Sequence, residues 1–303
     1  MKNYSKGKKL TLTVGITTCY GGEPILETIK SIRASKGVGK FRFILIADRI
    51  PIKDAIKKEF KKYQVELIEN KDEGSQFKKK KQILALIKTD LAVFTNDDVI
   101  FDQNVLRNIK TAFEKEDKLT MVGAKIFPLK PLNFFESIMG VQMGMHNRVI
   151  RLWNGSNNFL AASGRCLAYR TKHIKRFRIP EQVVNGDTYL YLENKRLGGR
   201  FRYLPEAKVY IRCPQTLKDQ IGPSSRFQYS KTELSRYFNS NLENEYKIPL
   251  SAIVLAALQE LISNPIRAVL YSFIFFYTRF KKLPIKIVSD PVWKVDVSTK
   301  RIN

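Results

Sequence analysis

The 303 residues carry 54 Lys and Arg against 28 Asp and Glu, a net charge of +26, with an ordinary apolar fraction of 44%. That length holds one large domain and a small appendage, and the composition excludes a disordered or collagenous chain. Cys19, Cys166 and Cys213 are far apart and form no CxxC pair, and His146 and His173 are the sole histidines. These counts exclude a disulfide framework and speak against a zinc centre or a Ser-His triad, and reduced thiols point to the cytosol.

The opening MKNYSKGKKL lacks the apolar core of a signal peptide. Residues 10–17 read as a buried strand, Cys19-Tyr20-Gly21-Gly22 as the loop after it, and Glu23-Pro24 as the start of a helix that places Ile25, Ile29 and Ile32 on one face. A second strand, 41–47, ends at Asp48. A helix over 52–63, a short strand at 65–68 and a helix over 75–87 bearing Lys78 to Lys81 follow. The apolar run Leu91-Ala92-Val93-Phe94 then stops at Asn96-Asp97-Asp98. Carboxylates at the carboxyl end of a parallel strand suit Mg²⁺ or Mn²⁺, hard cations held by one or two carboxylates plus substrate phosphates. Capping of the next helix is the alternative for these three residues taken alone.

Beyond a helix near 104–114, residues 121–126 read as a strand, 128–145 mix Pro, aromatics and Met, 151–158 form a polar loop, and 167–170 form a short strand. Asn185-Gly186-Asp187 precedes a helix over 188–197 that Gly198-Gly199 closes, and a strand spans 202–211. Strands alternating with helices at this pace predict right-handed βαβ crossovers and an α/β, mainly parallel sheet. From 248 the composition shifts to two apolar segments, 248–262 and 266–277, parted by Asn264-Pro265. Gln259, Glu260, Asn264, Pro265 and Arg267 make one continuous membrane span costly. Two readings stay open: helices lying in a membrane interface with Arg279, Lys281 and Lys282 near lipid phosphates, or a helical pair packed on the main domain.

The order of these motifs resembles an inverting family 2 glycosyltransferase of the GT-A fold over residues 11–230. The carriers are VGITTCY, Asp48 at the end of strand two, GSQFKKKKQILALIKTD, FTNDDV and GDTYLYLENKRLGGRFRYLPEAKVY. The resemblance implies a catalytic domain over 1–240 and a C-terminal helical, membrane-associating segment over 241–303. It implies a nucleotide site built from Thr18, Tyr20, Asp48, Lys80 and Asp97, with Arg226 reaching the diphosphate from a mobile loop. It also implies metal contacts at Asp98 and Asn96, and Asp187 as the base that deprotonates the acceptor hydroxyl. Asn96 stands where the family has the first Asp of its metal motif, and Gly186 where it commonly has an acid. Arg226-Phe227 takes the place of a Gln-x-x-Arg-Trp stretch only faintly. Without the resemblance, Asp48 reads as a turn residue, Asp187 as a helix cap and the four lysines as a solvated face. Trp153, Asn157 and Ser163 are acceptor-side candidates with structural roles as their alternative.

The expected activity is transfer of a hexosyl or N-acetylhexosaminyl group from a nucleotide-sugar donor, a UDP-sugar, to a glycan or lipid-linked acceptor. Mg²⁺ or Mn²⁺ assists, at the cytoplasmic face of an anionic membrane. The rival readings are a nucleotidyltransferase, and a basic nucleic-acid- or membrane-binding protein without catalysis. The basic residues are spread along the chain without an RNA-binding signature, so no nucleic-acid partner is expected.

Overall fold

A computed structural model describes residues 9–238, 242–292, 298–300 and 302; residues 1–8, where a signal segment was sought, lie outside them. The unbroken apolar runs form the centre of the sheet, because a parallel strand covered on both faces needs apolar side chains on both. β1 (Leu12–Thr18) is buried at every position and pairs in parallel with β2 (Arg42–Ala47) and β4 (Leu91–Asn96). α1 (Pro24–Arg33) starts on its proline and buries Ile25, Ile29 and Ile32, as the spacing predicts. α2 (Asp54–Lys62) buries Ile56 and Phe60. β3 (Glu66–Glu69) forms the charged edge beside β2, and Ser75 caps α3 (Gln76–Leu86) by accepting from the Lys78 amide at 3.1 Å.

β5 (Val99–Phe101) is a short strand directly after the acidic motif, which the sequence reading did not separate from it. There follow α4 (Val105–Lys115), β6 (Leu119–Pro128), α5 (Phe134–Leu152), β7 (Leu167–Arg170), α6 (Thr171–Ile174), α7 (Gly186–Arg196) and β8 (Arg200–Ile211). The mixed stretch 128–145 therefore belongs largely to a 19-residue helix, capped by Asn133 on the Glu136 amide and continuing to Leu152. Arg151 and Leu152, read as loop, end that helix. The sheet order is β3-β2-β1-β4-β7-β6-β8-β5, and β7 enters antiparallel between β4 and β6. One apolar core lies on each face of the sheet.

α8 (Leu217–Leu234) is an 18-residue helix that tolerates Pro223, which corrects the loop expected around Arg226. α9 (Leu242–Glu245), α10 (Leu250–Ser263), α11 (Pro265–Phe280) and α12 (Ile285–Val288) complete the appendage. Residues 242–263 pass by length and composition as apolar enough to cross a membrane. Irregular backbone at 246–249 divides them, however, and the 14 residues of α10 extend only about 21 Å against a hydrocarbon core of ~30 Å. Glu260, buried on α10, accepts from Arg148 of α5 at 2.8 Å. Ala268 and Tyr271 of α11 pack against Met139 of α5 and Cys213.

Candidate active site

The strand register gathers the polar ends of three strands at one sheet edge: Thr18 lies opposite Ala47, and Thr17 opposite Asn96. Thr18, Asp48 and Asn96 to Asp98 thereby share the carboxyl edge, where ligands of open α/β sheets bind. Thr18 Oγ1 donates to Asp97 Oδ2, and Asn96 Oδ1 accepts from Gln76 at 3.0 Å. Asp48 is buried, and its Oδ2 accepts from the Gly74 amide at 2.9 Å and from the Lys79 ammonium at 2.5 Å. Its Oδ1 is a buried acceptor without a protein donor among the described residues, an orphan that a ligand N–H would satisfy. Tyr20 lies over Gly22 at the rim of this edge.

Asp97 and Asp98 are buried, and such a pair is costly unless cations or hydrogen bonds meet both carboxylates. Arg165, on the turn before β7, donates to Asp98 Oδ1 at 2.8 Å. Lys300 meets Asp97 Oδ1 and lies 3.1 Å from Asp98 Oδ2. Burial pushes the Asp98 carboxyl up, but the two cations outweigh it and hold it at about 2. Burial likewise opposes the charge on Arg165, yet Asp98, with Asp187 and Asp97 further off, raises its affinity for the proton.

Arg165 therefore stands between the acid pair and Asp187. Asp187 lies in the first turn of α7, whose N-cap position is Asn185, so it is not the cap that the alternative reading assigned. Its side chain is 40% exposed and 4.0 Å from the Lys80 ammonium. Gly164 makes this approach possible, because a Cβ there would lie 2.2 Å from Asp187 Oδ1. Gly186 is equally constrained: a Cβ would come within 2.5 Å of the Phe77 ring, which explains the glycine where an acid was expected.

Lys80 is buried against Phe77 beside Asp187, whereas its neighbour Lys79 lines the cavity and pairs with Asp48. Burial lowers the Lys80 pKa, with Asp187 partly opposing. The cavity, about 560 Å³, has Thr18, Arg49, Lys79, Asn96, Asp97 and Asp98 at its polar end, with Arg226 reaching it from α8. Met139, Met143, Met145, Phe227, Tyr271 and Phe275 form an apolar wall. Ser163 is in the lining; Trp153 is instead buried edge-on against Phe159, and Asn157 accepts from the Tyr191 hydroxyl at 3.1 Å.

The family model described as glycosyltransferase like family 2 matches residues 12–230. The chain belongs to this family. No curated protein matches it, but solved glycosyltransferases share the GT-A fold. The mannosyltransferase PcManGT from Pyrobaculum calidifontis, in complex with GDP-Man and Mn²⁺, aligns over 91% of this chain and 76% of its own with a TM-score of 0.57 at 12% identity. Glucosyl-3-phosphoglycerate synthase from Mycobacterium tuberculosis, with Mn²⁺, UDP and phosphoglyceric acid, gives 75% and 78%, 0.53 and 12%. TarS 1–349 of S. aureus gives 84% and 74%, 0.52 and 14%.

In this glycosyltransferase the donor set at the strand end fits a divalent cation. No three His, Cys, Asp or Glu side chains gather among the described residues, which excludes a complete protein cage there but not a site finished by phosphates. The Lys300 ammonium shows that a cation fits between Asp97 and Asp98. Arg165, Lys79 and Lys300 were missed by sequence reasoning. For Lys79 the spacing gives no distinct signal: it precedes buried Ile83 by four, but Lys80 stands in the same relation to buried Leu84. Arg165 and Lys300 carry none, being brought in by a turn and by a segment some 200 residues from Asp97.

The four-lysine run should separate by function of position. Lys79→Met strands the buried Asp48 carboxylate and is expected to cost about 3 kcal/mol in denaturant unfolding. Lys81→Met breaks only the exposed pair with Glu181 and should cost less than about 1 kcal/mol. Equal losses would contradict the buried pairing.

Proposed function

We propose that the protein transfers a sugar, with inversion, from a UDP-sugar to the hydroxyl of a lipid-linked or glycan acceptor at the cytoplasmic face of an anionic membrane. The observation that carries this reading is the separation of labour around Arg165: a paired, buried acid couple on one side and a half-open Asp187 on the other. The nucleotide-sugar complexes of PcManGT and of the M. tuberculosis synthase support the donor class.

Thr18 and Tyr20 border the ribose and base position, and the orphan oxygen of Asp48 accepts the imide N–H of uracil. Asp97 and Asp98, with the donor phosphates, would hold Mg²⁺ or Mn²⁺; Asn96 borders them. When bound, that ion neutralises charge on the departing nucleoside diphosphate, so no general acid is required. Arg165 and Arg226 add cationic donors on the same side. Asp187 takes the acceptor hydroxyl proton as that oxygen attacks the anomeric carbon and the bond to the diphosphate breaks. The Lys80 ammonium lies 4.0 Å from this carboxylate.

Two features support a lipid-linked acceptor and a membrane site. The cavity runs from the acids to a Met- and Phe-lined wall contributed by α5, α8 and α11. The outer faces of α10 and α11 expose Ile262 (82%), Ile266, Phe273 and Phe280 (85%). Arg267, Lys281, Lys282 and Lys286 are exposed beside them, the pairing of apolar face and basic rim that binds an anionic lipid interface.

Calorimetry with UDP, GDP and a UDP-sugar should show Mn²⁺-dependent binding of UDP that Asp98→Ala abolishes; no nucleotide binding under any condition would overturn the donor assignment. Asp187→Asn should leave UDP affinity unchanged and lower transfer by about 10²- to 10⁴-fold, and undiminished turnover would remove Asp187 from this role. Sedimentation with vesicles containing phosphatidylglycerol should capture wild type. The double variant Ile262→Glu, Phe280→Glu should lose more than about tenfold of that binding. Equal capture would place the membrane contact elsewhere or nowhere.

A further inference from the structure

Lys300 belongs to the segment beyond the helical appendage, yet its ammonium contacts Asp97 Oδ1 and lies 3.1 Å from Asp98 Oδ2. Ile302, two residues on, is fastened: buried Arg212 donates to its carbonyl at 3.0 Å and is itself paired with buried Glu136 at 3.1 Å. Thr299 and Lys300 line the same cavity as Thr18, Lys79 and Arg165. The contact is thus a built part of the cavity wall.

Charge counting gives it a meaning. Asp97 and Asp98 supply two negative charges, and Arg165 and Lys300 two positive ones, so the acid pair is neutral as it stands. A divalent cation needs the oxygens that Lys300 occupies, since Mg²⁺ binds oxygen at about 2.1 Å and leaves no room for an ammonium. Added to Arg165 and Lys300 it would also leave four positive charges against two negative ones, an imbalance in a desolvated site. A nucleoside diphosphate brings the missing negative charge with it.

We infer that Lys300 is a resident occupant of the cation position, holding the nucleotide-free site closed, so that a divalent cation binds only by displacing it and does so best together with a diphosphate. The inference rests on the donor-site reading of Asp97 and Asp98 and adds to it a competing residue from the far end of the fold. Occupancy by Lys300 for about nine-tenths of the time would weaken the apparent affinity for metal alone about tenfold. Because coupling between two ligands is reciprocal, metal and nucleotide then strengthen each other's binding by the same factor.

The test is titration of the full chain with Mn²⁺, following the electron paramagnetic resonance signal of the free ion, for wild type, Lys300→Met and Lys300→Arg. Without nucleotide, Lys300→Met should bind Mn²⁺ about tenfold or more tightly than wild type, while Lys300→Arg, which keeps the charge, should stay near wild type. With UDP present, the wild-type protein should gain Mn²⁺ affinity and Lys300→Met should gain correspondingly less. Equal or weaker Mn²⁺ binding by Lys300→Met without nucleotide would overturn the inference, as would absence of Mn²⁺ binding in all three proteins. Should Lys300→Met bind Mn²⁺ more tightly while UDP changes nothing in wild type, the competition stands and the donor reading falls.

Discussion

Two adjacent carboxylates buried at the end of a parallel strand are the constraint from which the rest of the site follows. Asp97 and Asp98 are buried and line a cavity, and burying two charges is costly unless cations or hydrogen bonds meet them. The chain answers with three different elements: Thr18 at the end of β1, Arg165 on the turn into β7, and Lys300 beyond the appendage. Each supplies a donor or a charge from a distant part of the sequence. The acid pair is therefore a tie among the β1–β4 half, the β7 half and the final segment.

The same economy governs the flanks of the site. Asp48 is tethered to Lys79 of α3 and to the Gly74 amide before it, which uses one carboxylate oxygen and leaves the other without a protein donor among the described residues. Asp187 is held more loosely, by Lys80 at 4.0 Å and the close Gly164 turn, and retains exposure. A group that must accept a proton needs access, and a group that must recognise a donor needs rigidity. The two carboxylates differ in the way their roles would require.

The large positive charge is spread over these tasks and over the outer surface. Inside, Arg49, Lys79, Arg165, Arg212, Arg226 and Lys300 line one cavity with Asp97 and Asp98. Outside, basic residues border the apolar faces of α10 and α11. Composition alone reports only the sum, which is why it offered polyanions in general and could not separate a diphosphate from a membrane or a nucleic acid.

Local rules determined the strands other than β5, the Pro24 and Ser75 helix starts, the Gly198 stop and the acidic strand end, because apolar periodicity and capping depend on neighbours within a few residues. Those rules also left 128–145 unassigned, since a helix that contains Gly140 and Gly144 has weak local propensity and is held by packing, Gly144 lying against Glu260 of α10. The loop expected around Arg226 came from the family resemblance, and the helix Leu217–Leu234 takes its place with Pro223 inside it. Which lysine of four meets Asp48, that Arg165 pairs with Asp98, and that Lys300 meets both Asp97 and Asp98 were decided only by the tertiary structure. The reason is physical: a buried charge must be met in three dimensions, and the partner that meets it is chosen by sheet register and chain return, which no spacing in the sequence records.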